Sequence, residues 1–172
     1  MSKEKNSEKR DVILPLPTQD SLISLLVKIP LFRGIGLSEC REILKISLQK
    51  SYQPGENIYA AGTPGDEMLI ILKGRVKILI SGDREVAQLE AIQTVGEMEV
   101  VGSTPRVADV VADGEVSGLA LGRRRLNALF ESEATIGVQM LRNIVDNLAG
   151  KLAAADNELA VRFTQVRTEK RR

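Results

Sequence analysis

A single stretch concentrates the groups that can do chemistry: Gly96-Glu97-Met98-Glu99-Val100-Val101-Gly102-Ser103-Thr104-Pro105-Arg106-Val107-Ala108. Gly96 permits close approach of the backbone to a ligand, and residues 97–101 are long enough for one or two helical turns whose free amides would face an anion. Pro105 fixes the backbone ahead of Arg106, whose planar guanidinium fork suits a phosphate. A carboxylate at Glu97 beside a phosphate is repulsive on its own, but it makes sense if the ligand also brings hydroxyl donors. A sugar phosphate meets both demands. The bland reading of the same residues is an ion pair of Arg106 with Glu97 or Glu99 in an empty barrel.

The rest of the composition narrows the chemistry further. The 172 residues contain no His and one Cys, Cys40. Nucleophiles activated by an imidazole and zinc sites built from several Cys and His therefore drop out, as does a metal-dependent enzyme built on a related barrel. Binding groups are present without a nucleophile, a paired base or a metal cage, so the chain is read as non-enzymatic, with no cofactor. A lone Cys forms no internal disulfide, and Cys40 reads as a semi-buried helix thiol. Lys and Arg number 24 against 23 Asp and Glu, a net charge of +1 that provides no basic field for nucleic acid. The N-terminus has no apolar signal region and no apolar run approaches the roughly 18 residues of a membrane span, so a cytoplasmic protein without membrane contact is expected.

The length suits one domain with an appendage. Residues 1–19, with mixed charge and then Pro15 and Pro17, read as a flexible leader. From Asp20, the positions Leu22, Ile23, Leu25, Leu26 and Ile29 recur at helical spacing behind an Asp or Ser cap, until Pro30 stops the run. A second helix starts at Ser38, carries Cys40, and sets Ile43, Ile46 and Leu48 on or near one face. Between about 50 and 121, short apolar segments alternate with Gly, which predicts strands and turns. Strands are expected at 68–72, 76–80, around Val86 and Leu89, at 107–111 and at 116–121, with a hairpin turn at Ser81-Gly82-Asp83 and a connection across Asp113-Gly114. An antiparallel barrel or jelly roll at 20–132 follows.

Past Gly122 a short helix runs to near Phe130 and a long one starts at about Glu133. In the long helix Val138, Leu141, Val145, Leu148, Leu152, Ala155, Leu159 and Val166 follow steps of three and four, broken where Arg162 takes a slot. That spacing predicts a coiled-coil seam, so 133–172 is expected to serve as a dimerisation element. Packing on its own barrel is the competing reading. The closing Lys170-Arg171-Arg172 reads as a solvated helix end.

The segment 96–108 resembles the phosphate-binding cassette of cyclic nucleotide-binding domains, the family of catabolite activator protein and of kinase regulatory subunits. Pro54-Gly55-Glu56, Gly62, Gly65-Asp66 and the rhythm of Ile71, Gly74 and Val76 resemble the family's early barrel, so the similarity covers about residues 30–160. The resemblance implies a mainly β fold with flanking helices: an eight-stranded jelly-roll barrel and a long C-terminal helix. It implies that Gly96 and Glu97 hold a ribose 2′-hydroxyl, that Arg106 neutralises the cyclic phosphate, and that amides at Glu99, Val107 and Ala108 complete the cradle around Met98. The long helix of the activator protein caps the base, which places Ala155 and Asp156 nearby; the resemblance lets Asp156 accept the exocyclic amine of adenine, but a solvated helix charge is the favoured reading of that residue.

Three residues depart from the family pattern. Glu99 stands where a small residue is usual, and either repels the phosphate or points outward. Val107 lacks the hydroxyl associated with guanine preference, so cAMP is favoured over cGMP. Asp109, placed by strand alternation on the side of Val107, either accepts a base amino proton or spoils the site. The expectation is a cAMP sensor that signals through its C-terminal helix to an unidentified downstream protein. With no segment left for a helix-turn-helix, no direct DNA binding is expected. The alternative is a degenerate domain acting as a dimeric interaction scaffold.

Overall fold

The computed structural model describes residues 18–81 and 84–169; in the last helix the side chains of residue 155 and of residues 158–169 lie outside that description. Most of the leader, the tip of the 81–83 turn and the last three residues, 170–172, also fall outside it. Helix α1 (Gln19–Leu26) begins one residue before Asp20, because the hydroxyl of Thr18, rather than an Asp or Ser, accepts from the Ser21 amide. It ends at Leu26, and Pro30 opens a 3₁₀ turn, Pro30–Phe32, that buries Leu31 and Phe32. Helix α2 (Leu37–Ile46) buries Cys40 completely, deeper than the semi-buried thiol expected. Leu48 is not on this helix. It starts strand β1 (Leu48–Tyr52), because Ser47 already has extended backbone and its hydroxyl caps the Ile43 carbonyl.

Seven more strands follow: β2 (Asn57–Tyr59), β3 (Glu67–Lys73), β4 (Arg75–Ile80), β5 (Arg84–Glu90), β6 (Gln93–Val95), β7 (Asp109–Ala112) and β8 (Val116–Gly122). They form two antiparallel sheets ordered β1-β8-β3-β6 and β2-β7-β4-β5. The fold is mostly β, eight strands in two sheets with flanking helices, as the sequence predicts. Strand β3 explains how both layers are filled. Leu69 and Ile71 point into the barrel with Tyr52, Tyr59, Val76, Val95 and Val110, whereas Met68 and Ile70 point to the helices with Phe32, Leu121, Leu126 and Met140. A strand covered on both faces reads as an unbroken apolar run rather than an alternation.

Between β6 and β7 lies the short helix α3 (Glu97–Gly102). Helices α4 (Arg123–Ser132) and α5 (Ala134–Glu169) complete the chain. The 36 residues of α5 make a rod of about 54 Å at ~1.5 Å per residue, rooted against α4 and the 3₁₀ turn. Its first turns bury Ile136, Met140 and Ile144, and the buried Asn143 donates to the carbonyls of Leu31 and Arg33, both at 2.8 Å. Val138, Leu141, Val145 and Leu152 of the expected seam are exposed, while Leu148 is partly buried against the core. The side chains of Ala155, Leu159 and Val166 lie outside the described residues. Among the described residues no helix is long and apolar enough to cross a membrane.

Candidate functional site

A cavity of about 250 Å³ opens at the barrel wall between α3, the 106–108 segment and α5. Tyr59, Leu89, Thr94, Val110 and Lys151 line it together with Gly96 to Glu99 and Arg106 to Ala108. Gly96 turns the chain from β6 into α3 with φ of +84°, and a Cβ there would strike Arg106 Nη1 and press on the Tyr59 ring. The position thus needs glycine twice over, for its left-handed backbone and for its space.

Arg106 lies just before β7, and its main chain is held from both sides: its amide donates to Thr63 O and its carbonyl accepts from the Gly62 amide, both at 2.8 Å. The residue is only 5% exposed. Nη2 donates to the Glu67 carbonyl, Nη1 donates to the Gly96 carbonyl at 3.4 Å, and Nη1 stands 3.6 Å from the Glu99 carboxylate. The guanidinium lies 3.6 Å above the centre of the Tyr59 ring, a favourable place for a desolvated cation. Its Nε is buried with no partner among the described residues, and so is the Tyr59 hydroxyl. Burial first, and then the charge of Glu67, push the Tyr59 phenol well above its ordinary value, so it remains a neutral donor.

Glu97 is buried, and its Oε1 accepts from Lys151 Nζ at 3.3 Å. A residue of α5 therefore closes on the carboxylate that the sequence assigns to a ligand hydroxyl. Met98 lines the mouth, 43% exposed, and Val107 stands open at 70% while Ala108 is buried. The Val107 and Ala108 amides donate to no acceptor among the described residues outside the strand ladders.

The structure decides between the two readings of Glu99 and corrects two other placements. Glu99 does not point outward: it is buried and faces Arg106. Asp109 is not inward. Strand β7 begins at Asp109 rather than at 107, so alternation does not carry back to Val107; Val110 and Ala112 take the inner face, and the Asp109 carboxylate accepts from the Ala61 amide at 2.8 Å. Asp156 is exposed and away from the cavity, whereas Lys151, five residues earlier, lines it. Five residues are about 7.5 Å along a helix, and a uniform amphipathic pattern offers no landmark to fix that register. Sequence reasoning also missed Tyr59, whose only signal is an aromatic in a three-residue strand behind a Pro-Gly turn.

Comparison with known proteins places the fold. The chain is 28% identical over 150 residues to a CRP-like cAMP-activated global transcriptional regulator of Mycobacterium tuberculosis, covering 83% of this chain and 64% of the relative. It is 26% identical over 136 residues to Glutaminase 1 of Bradyrhizobium diazoefficiens, covering 79% of this chain and 22% of that protein. The chain thus spans less than two thirds of the length of either curated relative. The crystal structure of Thermus thermophilus catabolite activator protein superposes with a TM-score of 0.67 at 28% identity, covering 77% of this chain and 62% of that one. Residues 49–133 match the model of the cyclic nucleotide-binding domain, and it is to this family that the barrel of the chain belongs.

Proposed function

We propose that the barrel binds a cyclic nucleotide, cAMP in preference to cGMP, and that the chain is a non-enzymatic regulatory module reporting occupancy through α5. The observation that carries this reading is Arg106: a guanidinium 5% exposed beside a cavity, with an Nε and the neighbouring amides of Val107 and Ala108 that have no partner among the described residues. Buried donors without acceptors are costly, and a phosphate supplies acceptors. Glu97, on the same cavity, accepts the ribose hydroxyl. Because Lys151 already pairs with Glu97, a ligand that engages Glu97 changes what α5 touches, and this is the differential contact needed to shift the helix. In this reading α5 also pairs two chains through its exposed face, a downstream protein receives the signal, and the chain acts in the cytoplasm.

A second reading is favoured by one observation, the Arg106 pairing with Glu99 inside the protein. Under it the cassette is self-satisfied and the chain serves as a dimeric scaffold. Isothermal titration of cAMP and cGMP into protein stripped of ligand by unfolding and refolding separates the two. Micromolar or tighter cAMP binding that weakens more than tenfold in a folded Arg106→Ala variant is the expected result. Absence of heat with either nucleotide, in protein with native circular dichroism, selects the scaffold.

A further inference from the structure

Glu99 has no part in the binding function proposed above, yet its surroundings are specific. Its main chain is clamped: the carbonyl accepts from Arg123 Nη2 at 3.1 Å and from the Thr104 amide at 3.3 Å. Opposite runs Gly65, where any side chain would collide with the Glu99 Cβ. Arg123 also donates to the Gly65 carbonyl at 2.6 Å, so one guanidinium staples both segments together. With the backbone fixed in this way, the carboxylate is directed at Arg106, Oε2 standing 3.6 Å from Nη1, and the two side chains are only 10% and 3% exposed.

The charges around the cavity then balance. Its charged lining, among the described residues, is Arg106 and Lys151 against Glu97 and Glu99, joined as two ion pairs. An arriving phosphate meets no net positive charge, and it must approach a guanidinium whose Nη1 already faces a carboxylate. Unit charges a few ångströms apart in a partly buried setting repel by more than the equivalent of a tenfold change in affinity.

We propose that Glu99 is the specificity-determining residue of this cavity: an internal counter-ion that competes with a ligand phosphate for Arg106 and so lowers the preference for anionic over neutral nucleosides. The inference rests on reading the cavity as a nucleotide site. Glu99→Gln keeps the shape and removes the charge; Glu99→Ala removes the side chain altogether.

The test is the dissociation constant of cAMP and of adenosine, measured by calorimetry on the full chain for wild type and both variants. The expected result is a cAMP constant at least tenfold lower in both variants, with the adenosine constant changed less than twofold. A merely structural role, by loosening the pocket, would move both ligands together. A cAMP gain below twofold in both variants, or an equal gain for adenosine, overturns the proposal and leaves the cavity a nucleotide site. Binding of neither ligand to wild type or variants overturns the cavity reading itself, and this inference with it.

Discussion

At the scale of the residue, burying a charged group is tolerated only where its hydrogen-bonding capacity is met. Arg106 meets that condition with two carbonyls, a carboxylate and an aromatic face, and falls short at Nε alone. Cys40 shows the opposite case, a titratable group held neutral by its apolar surroundings. Burial, and secondarily the charge of Glu39, raise its thiol above the ordinary value, so at any given pH the folded protein presents less thiolate than the unfolded chain. The sign follows: the effect favours folding below the unfolded thiol's titration near pH ~8.5, and that advantage is lost as pH rises through the folded value. Cys40 is therefore expected to resist a disulfide reagent such as DTNB at pH 8 in buffer and to react with full stoichiometry in denaturing urea. Stoichiometric reaction in native buffer within minutes would contradict its placement.

At the scale of the element, the contact that fixes the root of α5 is made by Asn143, whose amide donates to the carbonyls of Leu31 and Arg33 while its Oδ1 accepts from Gln139 at 3.1 Å. Those carbonyls belong to the 3₁₀ turn and the residue that follows it, so one side chain ties the last helix to that turn. Asn143→Ala strands two acceptors and should lower unfolding stability by about 2 to 3 kcal/mol, read from the urea midpoint at constant slope. A loss under about 0.5 kcal/mol would mean that the turn is held by other contacts. Asn143 also marks what was legible in the sequence. The glycine-punctuated apolar runs gave the barrel, since period-2 patterns and turn residues act locally. The cassette was legible because Gly96, Glu97 and Arg106 lie within eleven positions of one another. The direction of Glu99, the outward turn of Asp109 and the arrival of Lys151 were not, because each is decided by a partner 24 to 54 positions away in the chain, such as Arg123, Ala61 or Glu97. Leu48 reads as helical for a related reason: a helix-compatible spacing continues past Ser47, where a hydroxyl cap ends the helix.

At the scale of the whole molecule, α5 has two faces with different obligations. Ile136, Met140 and Ile144 are spent on the chain's own core, while Val138, Leu141, Val145 and Leu152 continue along the other side, 40 to 64% exposed. Their spacing is that of a helix–helix seam on a rod of about 54 Å whose root packs against α4 and the 3₁₀ turn. Contiguous exposed apolar side chains of this kind are usually covered by a partner in the working protein. The prediction is specific to the face. Light scattering of the full chain should give twice the mass of one chain, and the double substitution Val145→Asp and Leu152→Asp should return it to one. Both positions are more than 60% exposed, so within a single chain the changes cost little stability, and melting of the monomer should be almost unaltered. Wild-type protein that runs as a single chain at concentrations of tens of micromolar, with or without cAMP, would remove self-pairing from the function of this face.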